Sequence, residues 1–235
     1  MKIDSESGSR RDFITDVGRL ASVITLTACM PPSASAAHSA GAAAGAATGT
    51  AWDLGWMRTL QRASDRAVFD WPGLGDPADP IVLEIAERYL DNCAAAYGSL
   101  PYEARVVLNI RTQAVGAALG DKVWERYSLG VEYNVKDPTT QQPATRNPFW
   151  HRAPSPAPGI VMPTLADLVE RGAIVLVCDF ALGHLSKRLA TKMGIASEAV
   201  HEELRDGFVT GAFAVPSGIF GLARAQNSGC AFVRM

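Results

Sequence analysis

The feature that most constrains the fold is a run of five apolar residues, 173–177, which ends at Cys178. A helical pattern begins immediately afterwards, with Leu182, Leu185 and Leu189 on one face. A short apolar run of this kind predicts a buried strand that leads directly into a helix. The last residue of such a strand lies at the carboxyl edge of an α/β sheet, where ligands usually bind. The sequence therefore places the Cys178 thiol where chemistry commonly occurs.

Predicted strands and helices alternate along the rest of the chain. Strands are predicted at about 67–70, 105–110, 173–178, 211–215 and 230–234. Helices are predicted just after Trp52 and at about 80–97, 112–127, 165–171, 182–193, 197–205 and 219–226. Alternation of this kind indicates parallel strands joined by right-handed crossovers. We therefore expect a single-domain, three-layer α/β/α fold with a mostly parallel sheet, of the flavodoxin-like or Rossmann-like kind.

Residues 1–28 have the form of a twin-arginine export signal. The arginine pair at 10–11 precedes a weakly apolar stretch at 20–28, which is too short and too polar to remain in a bilayer as a span. The tetrapeptide that ends at Cys29 resembles a bacterial lipobox and makes this cysteine a candidate for lipidation. Cleavage after the small residues 34–36 is the alternative. We expect export by the Tat pathway, to the periplasm or to a lipid anchor as the only membrane attachment.

Composition divides the remaining sequence. Residues 29–50 are mostly Ala, Gly, Ser, Thr and Pro, which predicts a flexible tether because these side chains bury little apolar surface. The folded domain is expected to span residues 51–235. Within it, the segment 136–163 carries seven of the fourteen prolines, which predicts a long loop without a regular helix or central strand.

The middle of this loop, residues 146–152, mixes aromatic and basic side chains. Arg146, His151 and Arg152 are candidate substrate-binding residues if the segment gates a site and one of them meets an anion. The alternative is an aromatic plug that anchors a long loop to the domain surface. The sequence leaves both interpretations open.

The overall charge and the residue spacings exclude several classes of function. The formal net charge is -2, which provides no basic surface for nucleic acid. The histidines and cysteines are not spaced as metal ligands, and no glycine-rich phosphate loop is present, so we expect no metal and no cofactor. Ser217 lacks the flanking glycines of a nucleophile elbow and is interpreted as a helix cap.

The two other cysteines of the domain are predicted to pack rather than react. Cys93 falls on the apolar face of the helix at 80–97 and is expected in the core. Cys230 begins a strand whereas Cys178 ends one, so in a parallel sheet the two thiols lie at opposite edges, too far apart for a disulfide.

Three blocks of the sequence resemble the DsrE/DsrF-like family of small α/β proteins linked to sulfur relay. The block at 171–178 looks like the family's short helix, glycine, apolar strand and cysteine. The stretch 215–233 is similar to its closing strand, Pro-Ser-Gly turn, helix and final strand. Residues 124–127, with the prolines of the long loop, look like an exported subgroup. The resemblance covers about residues 65–235.

The resemblance implies that Cys178 carries sulfur as a persulfide. A thiol at a helix start meets backbone N–H donors that favour its thiolate, and His184 would add to this if it turned back to the sulfur. The neighbouring carboxylate of Asp179 acts the other way, so the residues do not settle the balance. The implied partners are a sulfur donor or acceptor protein or a small sulfur compound, and analogy adds a homo-oligomer. The alternatives are an inert core thiol and a noncatalytic periplasmic module that binds a small anion or a protein.

Overall fold

Five parallel strands form one sheet at the centre of the domain. They are β1 (Asp65–Trp71), β2 (Ala104–Ile110), β3 (Ile174–Cys178), β4 (Ala212–Val215) and β5 (Ala231–Arg234). Their order across the sheet is β4-β3-β2-β1-β5, and every neighbouring pair is parallel. The predicted parallel sheet is therefore confirmed, with each of its five strands in the expected place.

Helices cover both faces of the sheet, which gives the expected three-layer α/β/α arrangement. They are α1 (Gly55–Gln61), α2 (Ile81–Tyr97), α3 (Asp121–Arg126), α4 (Leu129–Glu132), α5 (Leu165–Glu170), α6 (Asp179–Met193), α7 (Ser197–Asp206) and α8 (Gly218–Asn227), with a 3₁₀ helix at Thr112–Ala118. One face packs against α2 and α6, where Leu83 and Leu185 are buried. The opposite face packs against α1 and α8 through Trp56 and Ala225. Successive strand residues supply the two faces in turn, because side chains alternate along a strand.

The computed structural model describes residues 52–98, 103–152 and 161–235. All of them belong to one unit, Gly49–Met235. The predicted export signal, the lipidation candidate Cys29 and the tether lie outside the described residues. No helix in the described ranges combines the length and the apolar character needed to cross a membrane.

The helix predicted at 112–127 is wrong as a single element. The chain instead forms the 3₁₀ helix, then an extended residue at Leu119, and then α3. The break is stabilised by a buried amide, because the Asn147 side chain donates to the carbonyls of Ala117 and Leu119 at 2.8 and 2.7 Å. An extended Leu119 also bridges to Phe208. Tertiary hydrogen bonds therefore override the local helical pattern here.

Cys93 is half-buried rather than part of the core, so this prediction is also wrong. The buried stripe of α2 ends at Leu90, and the turns beyond it are largely exposed. The apolar periodicity of the sequence continues to Tyr97, but the buried face of α2 ends at Leu90. By contrast, Cys230 is buried as expected, and the three described cysteines are all free thiols.

Candidate functional site

A crevice is expected between the carboxyl ends of β3 and β4. These strands are neighbours, with Cys178 opposite Val215 in the register. β3 leads into α6 on one face of the sheet, whereas β4 leads into α8 on the other. Adjacent strands whose following helices lie on opposite faces leave a gap at the strand ends, and ligands bind in such gaps. Cys178 lies at this position.

Cys178 is both the end of β3 and the N-cap of α6. Its sulfur accepts a hydrogen bond from the backbone N–H of Ala181, with the sulfur and nitrogen 3.4 Å apart. The residue is only 5% exposed. Unpaired N–H groups at the start of a 15-residue helix carry partial positive charge, which favours an anionic sulfur. The helix start thus supplies the local field expected from the sequence, around a thiol with little exposed surface.

The carboxylate of Asp179 has its own partners on α7. Its Oδ1 atom is 3.0 Å from Nε2 of His201 and 3.4 Å from Nη1 of Arg205. The negative charge of Asp179, which disfavours a thiolate at Cys178, is therefore partly offset by two basic side chains of α7. These contacts also join α7 to the first residue of α6.

His184 lies on α6, six residues after Cys178, and is exposed. Its ring stands edge-on to the ring of Phe180, with the ring centres 4.8 Å apart. No hydrogen bond joins His184 to Cys178 within the part of the chain that the structure describes. Phe180 is itself 67% exposed, and Ile219 at the start of α8 is 78% exposed. Both helices thus present an apolar side chain at their first turn, beside the expected crevice.

Sequence reasoning did not find a set of three polar residues at the carboxyl ends of β1 and β2, which we call the polar cluster: Asp70, Asn109 and Arg111. Arg111 donates from Nε and Nη2 to the two carboxylate oxygens of Asp70 at 2.8 and 2.6 Å. Asn109 donates to the same carboxylate at 3.0 Å. Burial raises the pKa of Asp70, but the hydrogen bonds from Arg111 and Asn109 outweigh it and hold that pKa below its ordinary value. Asp70 is therefore an anion fixed between two donors.

The polar cluster adjoins Cys178 through Arg111. Ile110 pairs with Val177 in the register of β2 and β3. The residues that follow this pair are Arg111, directly after β2, and Cys178, the last residue of β3. The hydrogen bond to Asp70 raises the pKa of Arg111, and the nearby sulfur of Cys178 acts in the same direction. A signal for these residues existed in the sequence, since Asn109 interrupts an apolar run and Arg111 directly follows it.

Two glycines of α8 let this helix lie directly on the polar cluster. A Cβ atom at Gly218 would fall 2.7 Å from Cβ of Arg111, and one at Gly221 would fall 2.9 Å from Oδ1 of Asn109. That Oδ1 atom is buried and has no hydrogen-bond partner among the described residues. Ser217 caps the helix by accepting from the N–H of Phe220 at 3.2 Å, which confirms its interpretation as a cap.

Three basic residues of the proline-rich loop contact neighbouring acids. Arg146 and His151 both contact Asp121, each at 2.8 Å. Arg152 donates to both oxygens of Asp167 at 2.9 Å. These pairs attach the loop to α3 and α5. The structure brings the three loop candidates to these acids and not to the polar cluster, an arrangement that suits anchoring of the loop.

Asn147 is the central anchor of the same loop and was also not singled out in the sequence. It is fully buried, and its Oδ1 atom accepts from the N–H groups of Phe149 and Trp150 at 2.9 and 3.3 Å. With the two bonds that it donates to the break before α3, its side chain makes four hydrogen bonds. Phe149 then packs edge-on against Trp71, with ring centres 5.8 Å apart. The loop is thus fixed to the end of β1.

Among residues 52–98, 103–152 and 161–235, no three His, Cys, Asp or Glu side chains are grouped as metal ligands. A scan against protein-family models and a search of curated proteins give no match. Among solved structures, the chain is similar to a protein of unknown function, MTH1491 from Methanobacterium thermoautotrophicum. The identity is 16% and the TM-score 0.36, over 73% of this chain and 99% of the other.

Proposed function

We propose that the chain is an exported DsrE-like protein that handles sulfur, with Cys178 as the carrier of sulfane sulfur. The observation that supports this most directly is the Cys178 sulfur at the carboxyl edge of the sheet, where it accepts the N–H of Ala181 at the start of α6. The same field that favours a thiolate favours a persulfide, since both place negative charge on sulfur at that point.

The proposed step is a simple exchange of sulfur. The Cys178 thiolate attacks the outer sulfur of a persulfide or polysulfide donor, the donor's S–S bond breaks, and the donor leaves as a thiolate with the electron pair. Cys178 then holds a persulfide anion, and the reverse exchange with an acceptor thiol restores it. No external oxidant or reductant is required, because the transferred sulfur keeps its oxidation state.

The export signal at 1–28 extends this proposal to a location. We infer a periplasmic protein, or a lipoprotein anchored through Cys29 and tethered by residues 29–50. In an oxidising compartment a free thiol is exposed to disulfide formation. The low exposure of Cys178 would limit such side reactions. A donor or acceptor protein or a small sulfur compound would be the partner.

Mass spectrometry of the full chain tests the proposal. After incubation with inorganic tetrasulfide, the Cys178 peptide of the wild type should gain the mass of sulfur atoms, and Cys178→Ser should gain none there. Cys230→Ser is the matched control, because it removes a buried free thiol from the opposite end of the sheet and should leave uptake at Cys178 intact.

The low exposure of Cys178 also favours a second candidate, a noncatalytic module that binds a small anion or a partner protein. In that case the tetrasulfide experiment gives no sulfur on Cys178, and ligand binding survives Cys178→Ser. Absence of the adduct from a folded wild-type chain would therefore contradict the sulfur-carrier proposal and favour the binding module.

A further inference from the structure

Arg111 occupies a fixed position beside Cys178. It follows the Ile110–Val177 pair of the β2–β3 register. The aliphatic part of its side chain lies against Gly218 in the first turn of α8. A Cβ atom at Gly218 would fall 2.7 Å from Cβ and 2.9 Å from Cδ of Arg111, so no side chain separates the helix from this arginine. With two hydrogen bonds to Asp70 as well, the guanidinium has little freedom to move.

The guanidinium keeps part of its binding capacity. Asp70 accepts hydrogen bonds from Nε and Nη2 of Arg111. Within the described ranges, Nη1 has no hydrogen-bond partner. The Arg111 side chain is 34% exposed, in contrast to the buried carboxylate that it contacts. An arginine presents five N–H donors in a planar group, so this one can hold Asp70 and still donate to a second anion.

The two carboxylates nearest Cys178 at the carboxyl edge, Asp70 and Asp179, both have basic partners. Asp70 lies between Arg111 and Arg234, its partner in the register of β1 and β5. On the other side of Cys178, Asp179 is paired with His201 and Arg205. Each of the two carboxylates thus faces two basic side chains. These partners offset part of the negative charge that Asp70 and Asp179 place beside Cys178.

We propose that Arg111 is a specificity-determining residue that selects small sulfur anions over neutral sulfur compounds as donors to Cys178. This inference rests on the proposed function and names the class of substrate. The guanidinium offsets the repulsion between an anionic donor and the Cys178 thiolate, which otherwise opposes their approach. Asp70 holds Arg111 in place and offsets part of its charge, and Asn109 in turn donates to Asp70.

The test compares two alkylating reagents of similar shape and different charge, iodoacetate and iodoacetamide. Their rates at Cys178 are measured on the full chain by peptide mass spectrometry, so the other cysteines do not interfere. Both reagents react with the same thiolate, and the ratio of the rates therefore cancels any change in its ionisation. Arg111→Gln should lower the iodoacetate-to-iodoacetamide ratio about fivefold, the factor that corresponds to two unit charges about 4 Å apart in bulk water.

Three further variants separate charge from structure. Arg111→Lys should restore most of the ratio, and Asp70→Asn should raise it, because it removes the negative charge that offsets Arg111. Arg62→Gln makes the same change of charge before the start of β1, at the opposite edge of the sheet, and should leave the ratio unchanged. The Asp70→Asn result tests the idea even if Arg111→Gln does not fold.

Two results would overturn this inference. One is a ratio that does not change in folded Arg111→Gln or Asp70→Asn, and the other is a Cys178 that is inert to both reagents. Neither depends on sulfur transfer, so a failure here is distinct from a failure of the tetrasulfide experiment. With thiosulfate as the donor, attack on its outer sulfur breaks the S–S bond and releases sulfite with the electron pair. Arg111→Gln should slow this uptake by a similar factor.

Discussion

Replacement of Asn147 by alanine tests whether one buried amide holds the proline-rich loop on the domain. The Asn147 side chain makes four hydrogen bonds. It donates two to carbonyls at the break between the 3₁₀ helix and α3, and it accepts two from the N–H groups of Phe149 and Trp150. Each is worth about 1 kcal/mol net, and a buried group left without a partner costs about 1–3 kcal/mol. Water will reach some of the freed groups. We therefore expect Asn147→Ala to lower the free energy of unfolding by about 3 kcal/mol.

Urea denaturation followed by tryptophan fluorescence measures this change, and a thermal melt should show a fall of roughly 6–12 °C for a domain of this size. Thr145→Ala is the control, since Thr145 is exposed in the same loop and should change stability by less than about 0.5 kcal/mol. Asn147→Asp should be at least as damaging as alanine, because a carboxylate would face the carbonyls of Ala117 and Leu119. If folded Asn147→Ala loses less than about 1 kcal/mol, the loop has another anchor and the reasoning is refuted.

Two further predictions concern the polar cluster. Gly221→Ala should destabilise the domain by about 1–3 kcal/mol in urea denaturation, because its methyl group would meet Asn109, Val215 and Leu176 within 3.3 Å; unchanged stability would show that α8 shifts freely. The pKa of Asp70 is lower in the folded chain than its ordinary value, so its contribution to stability is present above that value and is lost as the pH falls through the lowered pKa. Stability measured between about pH 5 and pH 2 should therefore fall less steeply in Asp70→Asn than in the wild type, and parallel curves would contradict the assignment.

The sheet could be predicted because its strands are short, mostly apolar segments that alternate with helical patterns. β3 is buried along its whole length, and its sequence shows this directly. One helix cap was equally readable, since Ser217 was interpreted as a cap and accepts from the N–H of Phe220 at the start of α8. Such features depend on neighbours in the chain, and local sequence records them.

The polar cluster and the broken helix could not be predicted because they depend on long-range contacts. Asp70 and Arg111 are 41 residues apart in sequence and meet only when β1 and β2 pair in register. The same holds for Asn147, whose amide stabilises a helix break 28 residues earlier. The carboxyl-edge rule that identified Cys178 would have indicated Asp70 and Arg111 had it been applied to every strand end.

The two glycines of α8 have a consequence for how this domain can change over time. Because Gly218 lies against Arg111 and Gly221 against Asn109, α8 covers the polar cluster with backbone rather than with side chains. Substitutions on the exposed face of α8, for example at Ile219, do not change these backbone contacts. The outer face of α8 can therefore vary in evolution while the backbone that covers Arg111 and Asn109 stays the same.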